Sequence, residues 1–110
     1  MSVTDSKTID MWGIPKASPN KVILGIADHL SWDKNVEGEH LQKLQEKLNT
    51  YISFIESGEV YNAIPTAKGT SPTIRLIGNY PLSTQGETFI ERATAILQES
   101  GIEFEYVFKP

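Results

Sequence analysis

The sequence predicts an α+β domain of order ββαβαβ, a four-stranded mixed sheet with two helices on one face. Three observations predict it. Four stretches, residues 8–16, 21–28, 73–80 and 102–109, are β-branched, aromatic or alternating. Two longer stretches between them repeat apolar residues in steps of three and four. Each of those helical stretches carries a single apolar stripe, so each covers a sheet on one side only.

Taken in order, residues 1–7 are polar and read as a flexible tail ahead of one domain over residues 8–110. Residues 8–16 (TIDMWGIPK) set Ile9 and Met11 on one side and Asp10 and Trp12 on the other. Ser18, Pro19 and Asn20 make a turn. Residues 21–28 (KVILGIAD) are apolar on both faces, as in a central strand. The two strands and their short loop read as an antiparallel hairpin.

The first helix is expected over residues 39–57, with Leu41, Leu44, Leu48, Tyr51, Ile52 and Ile55 on one face. Glu39 and Lys43 stand i,i+4 in the favourable order. Gly58 is placed to close the helix in the left-handed conformation. Residues 59–72 contain Pro65, Gly69 and Pro72 and read as an irregular connection. The third strand, 73–80, puts Ile74, Leu76, Gly78 and Tyr80 on one face, with Gly78 admitting a close helix. Thr84 and Glu87 fit a capping box for a second helix over residues 85–100, which Gly101 ends. Residues 102–109 alternate cleanly, with Ile102, Phe104, Tyr106 and Phe108 facing one way. Joined through a helix, the third and fourth strands fit a parallel pair with a right-handed crossover.

At 110 residues, with 39% hydrophobic and 22% charged residues, the chain supports one core without staples. It has no cysteine, which excludes disulfides and thiolate metal sites. The first ten residues lack the apolar core of a signal peptide, and no apolar run reaches the length of a membrane span. The expectation is a soluble cytoplasmic protein. Its ten basic residues are scattered and the net charge is −4, which disfavours nucleic acid as a partner.

Residues 28–59 hold seven acids and three lysines, so the whole net charge lies there. An acidic face of this kind suits a basic partner. Trp32 and Tyr61 flank the helix in loops, and exposed aromatics beside carboxylates anchor protein interfaces. The candidate partner-binding residues are therefore Trp32, Asp33, Glu37, Glu39, Glu46 and Tyr61. The uncovered sheet face is expected to carry Trp12, Ile23, Ala27, Ile77 and Val107 beside Asp10, Arg75, Glu103 and Glu105. Trp12, Ile23, Ile77 and Val107 are thus candidates for a second interface or a homodimer.

Asp28, His29 and His40 are the residues that would suit a small hydrolase or a metal-dependent enzyme. A metal needs three or four converging ligands, and the two histidines lack the spacing that pairs them on a helix. No nucleophile motif accompanies an Asp–His base. Lys68-Gly69-Thr70 resembles the end of a phosphate loop, but the upstream glycine is missing and no helix follows. The reading is non-catalytic, with no cofactor and no metal.

The segments DHLSW, LQEKLNTYISFIESGEVY, PTAKG and GNYPL, in that order, resemble a family of small bacterial domains of unknown function. The resemblance covers residues 22–108, and its motifs are a turn, a helix seam and a helix stop. It implies a single bacterial domain and brings no activity. By size, charge and class, the chain is also similar to immunity proteins of bacterial competition systems, which would neutralise a basic toxin such as a nuclease by direct contact.

Overall fold

The computed structural model describes residues 2–110. Strands β1 (Met11–Gly13), β2 (Lys21–Asp28), β3 (Ser71–Gly78) and β4 (Glu103–Phe108) form one sheet in the order β1-β2-β3-β4. β1 runs antiparallel to β2, while β2, β3 and β4 are parallel. Helix α1 (Glu37–Glu56) carries the chain from β2 towards β3, and α3 (Thr84–Glu99) from β3 to β4. The class and the element order are those predicted.

Strand alternation sorts the sheet into two faces. Val22, Leu24, Ile26, Ile74, Leu76 and Phe104 are buried together with Leu44, Leu48 and Tyr51 of α1 and Leu97 of α3. Each such side chain stabilises the fold by about 1.5–3 kcal/mol. Gly58 (φ +79°) and Gly101 (φ +77°) close α1 and α3 as expected. At the end of α3 the Gly101 N–H bonds the Gln98 carbonyl and the Ile102 N–H bonds the Leu97 carbonyl. Leu97 and Ile102 are both buried, which seals that turn.

The first strand is far shorter than residues 8–16. Past Gly25 the edge of β2 is completed by other groups: the Asp10 carboxylate accepts the Ala27 N–H (3.1 Å) and the Val3 N–H donates to the Ala27 carbonyl (2.9 Å). Within the expected tail, residues 2–7 are therefore anchored, not free, with Val3 fully buried in the core, and Met1 lies outside the described residues. Pairing of Met11 with Gly25 and of Trp12 with Leu24 reverses the predicted faces. Met11 lies on the open face, over Gly25, and Asp10 turns towards α1.

Residues 59–70 are more regular than expected. A five-residue helix, α2 (Glu59–Ala63), and a 3-10 turn (Pro65–Ala67) occupy most of them. β3 begins at Ser71 and includes Pro72. The Ser71 N–H donates to Asn20 on the β2 side, so alternation turns the Pro72 nitrogen towards β4. β4 starts only opposite Thr73, so no ladder bond is lost. Gly78 does admit a close neighbour, but it is Tyr106 and not a helix: a Cβ there would lie 2.7 Å from the Tyr106 hydroxyl. Ser83, one residue before Thr84, caps α3, its Oγ accepting the Gly86 N–H at 3.0 Å.

Candidate functional site

The carboxyl ends of the parallel strands and the amino end of α1 meet at one place, and a buried acid–histidine pair lies there. β2 delivers Asp28 as its last residue, and the first turn of α1 delivers His40. Both are 1% exposed. His40 Nε2 lies 2.8 and 2.7 Å from the two carboxylate oxygens of Asp28, and its Nδ1 lies 2.9 Å from the Ser31 carbonyl. A carbonyl only accepts, so Nδ1 carries a proton. A second proton then bridges Nε2 and Asp28, and the pair is neutral as a whole.

Trp32 roofs this pair. Its ring stacks on His40 with centroids 3.7 Å apart. On its other side lies Gly86 of α3, where a Cβ would come within 3.3 Å of the indole. Asp28 also accepts the Leu30 N–H (3.2 Å), which shapes the turn after β2. Nearby, the Tyr106 hydroxyl donates to the Tyr80 carbonyl at 2.7 Å. Burial raises the Tyr106 pKa, and the Asp28 charge adds to the rise.

A second buried polar cluster joins α1 to the amino-terminal segment. Lys47 is fully buried, and its Nζ donates to the carbonyls of Asp5 (2.5 Å) and Thr8 (2.7 Å) and to Asp10 Oδ1 (2.6 Å). Tyr51, one turn on, donates to the Gly25 carbonyl and accepts the Asp10 N–H (2.8 Å). The Tyr51 pKa is raised well above the ordinary tyrosine value. Burial is the main cause; the bond from the Asp10 N–H opposes it, and the Asp10 charge adds to it. Every buried side-chain nitrogen and oxygen among the described residues has a partner.

These contacts settle where the sequence candidates lie. Asp28 and His40 converge, whereas His29 is exposed and outside the pair. No group of three or more His, Cys, Asp or Glu side chains among the described residues could hold a metal. Trp32 is buried at 7% exposure and offers no contact surface, because its ring is spent between His40 and Gly86. Tyr61 is half-buried, its hydroxyl donating to the Thr70 carbonyl. Asp33, Glu39 and Glu46 are exposed, and Glu37 is half-exposed. Glu39 makes the expected bond to Lys43, at 3.1 Å. On the open sheet face Ile23, Ile77 and Val107 are half-buried, while Trp12 stands at the sheet edge, 52% exposed.

Sequence reasoning missed the second cluster altogether. The signal was available: His40, Leu44, Lys47, Leu48 and Tyr51 are spaced as one helical face, so a charged residue lies in the middle of the core stripe.

No helix among the described residues is long and apolar enough to cross a membrane. Comparison with curated proteins and with solved structures gives no match. The model of a family of unknown function covers nearly the whole chain, residues 1–109, and the chain belongs to that family, DUF6572.

Proposed function

We propose that this is a non-catalytic, cytoplasmic protein-binding domain that receives a basic protein partner on the exposed side of α1 and the turn before it. The observation that carries the reading is the surface charge of residues 28–59. Burial removes Asp28 and Lys47 from the surface. What remains is Asp33, Glu37, Glu39, Glu46, Glu56 and Glu59 against Lys34 and Lys43, six acids to two bases. Glu39 and Glu46 are seven residues apart on the helix and share its outer side. Such a face steers a cationic partner and raises its association rate.

The buried pair supports the non-catalytic part of this reading. A general base must reach a substrate proton, and His40 has both ring nitrogens engaged inside the protein. The most concrete form of the proposal is a bacterial immunity protein. Its acidic face would occupy the cleft that a basic toxin, such as a nuclease, uses for phosphates.

The test immobilises the wild-type protein and a Glu39→Lys/Glu46→Lys variant at low salt and passes lysate of the encoding cell over both. The expected result is a basic protein held by the wild type, released as salt rises, and lost by the variant. Capture of the same proteins by both forms, or of none by either, overturns the proposal.

A further inference from the structure

We propose that a second copy of this chain docks on the free edge of β4, antiparallel to it across a twofold axis, so that the two sheets join into one. β4 is the outermost strand on its side of the sheet. The Lys109 N–H donates to the Gly78 carbonyl (2.8 Å), so the odd-numbered residues of β4 turn their backbone groups towards β3. The N–H and C=O groups of Phe104, Tyr106 and Phe108 therefore point away from the sheet. None of them has a backbone partner among the described residues. The other side of the sheet is guarded: it ends in the three-residue β1, and Asp10 and Val3 close the part of β2 that β1 leaves open. β4 has no such cover. It pairs with β3 without a bulge, and no proline interrupts it.

The shape of this edge argues for a second copy as the occupant. By alternation Phe104, Tyr106 and Phe108 share the helix-covered side of β4. Phe104 is buried, but Phe108 stands 47% exposed at the end of the strand. Beside Phe104 lies a hollow of about 410 Å³, bounded by Thr94 and Gln98 of α3 and by Gly101, Ile102 and Glu103. One edge thus carries an uncovered ring at one end and a recess at the other. An antiparallel twofold centred on Tyr106 sets Phe108 of each copy opposite Phe104 of the other, at that recess. The same centre matches outward-facing residues with outward-facing residues, which gives about six main-chain hydrogen bonds.

Charge selects the same register. A centre at Phe104 sets Glu103 opposite Glu105, and a centre at Glu105 sets that residue opposite itself. With the centre at Tyr106, Glu103 of each copy faces Lys109 of the other. Lys109 has no carboxylate within ion-pair distance among the described residues, so it gains its partner across the axis. Exposed Glu103 shares itself between Lys109 and its own Lys21 (3.3 Å). A centre at Val107 also matches charges, but it shortens the ladder and sets Phe108 opposite Tyr106, away from the recess. An unrelated extended segment could use the same backbone groups, but a copy of this chain brings ring, recess and charges together in one register. The edge shares no residue with the acidic side of α1, so the inference stands apart from the proposed function.

The experiment measures mass in solution by sedimentation over a concentration series. Wild type is compared with Lys109→Glu, with Glu103→Lys, with an equal mixture of those two variants, and with Phe108→Asp. Lys109→Glu sets acid against acid at both ends of the paired strands, and Glu103→Lys sets base against base. In the mixture each acid meets a base again. The wild type is expected to reach twice the 12.3 kDa chain mass as concentration rises. Each charge variant alone is expected to dissociate at least about tenfold more readily. The mixture is expected to recover the dimer, which also shows that both variants are folded. Phe108→Asp is expected to stay monomeric, because it buries a charge in the recess. A wild type that is monomeric throughout overturns the proposal, and is the result if the edge receives a segment of another protein instead. So does a dimer that all three variants leave intact, since the contact then lies elsewhere. A mixture that stays monomeric overturns the register, and with it the seating of Phe108. Amide hydrogen exchange of the wild type is the check that needs no variant. Exchange at Phe104, Tyr106 and Phe108 is expected to slow as the protein is concentrated, and exchange there that ignores concentration counts against the edge.

Discussion

Lys47 sits where the period of α1 would place a leucine, and it survives there because four acceptors surround its ammonium group. Replacing it with methionine keeps the volume but leaves the Asp10 carboxylate buried beside apolar atoms. Lys47→Met is therefore expected to cost about 3–5 kcal/mol in urea denaturation, and adding Asp10→Asn to recover part of that loss. Tyr51 supplies a test in alkali. Its folded pKa lies above the unfolded value of about 10, so folding favours the neutral phenol. That contribution is complete below pH 10 and is lost as pH rises through the folded value. Stability of the wild type should fall more steeply above pH 10 than that of Tyr51→Phe, measured by denaturant midpoints at each pH. Little at this scale was legible beforehand. Asp28 and His40 stand 12 residues apart, and Asp10 and Lys47 stand 37 apart, so only the fold brings each pair together.

Elements were legible where period and punctuation agree. β2 falls on the predicted residues, and Gly58 and Gly101 end their helices, because φ above zero leaves few residue types to choose from. Errors gathered where two signals compete. Thr84 and Glu87 satisfy a capping box on paper, but Ser83 precedes them and is the residue with extended backbone. Ser83→Ala is accordingly expected to lower stability by about 1 kcal/mol, while Thr84→Ala changes it by much less. Thermal unfolding of the two variants, compared with wild type, separates the assignments. Pro72 misled in the same way: proline argues against a central strand unless its nitrogen faces a vacant position, and that vacancy depends on where β4 begins.

For the whole molecule, class and order followed from the sequence because binary patterning fixes the layers. The treatment of the amino-terminal segment did not, since polar composition alone says nothing of the bonds its carbonyls make. Val3 is in the core, Lys47 holds the Asp5 and Thr8 carbonyls, and the Thr50 hydroxyl donates to Ser6. Removing residues 2–7 is expected to lower the melting temperature by roughly 10 °C, from the loss of Val3 burial and two of these anchors. A melting temperature within a degree or two of wild type would return the segment to the status of a loose tail.

The same arrangement dictates an order of events during synthesis. Ribosomes release a chain from its amino end, so Val3, Asp5 and Thr8 emerge long before Lys47 can clasp them. β2 must wait longer still: its neighbour on the inner side starts at Ser71, 50 residues after Lys21. Until β3 has cleared the exit tunnel, the nascent chain presents β2 with an open, apolar edge, the state in which chaperones meet it and misassociation begins. A pause in translation within α1 would prolong that exposure, and one after Gly78 has left the tunnel would come when the central pair of strands can already close.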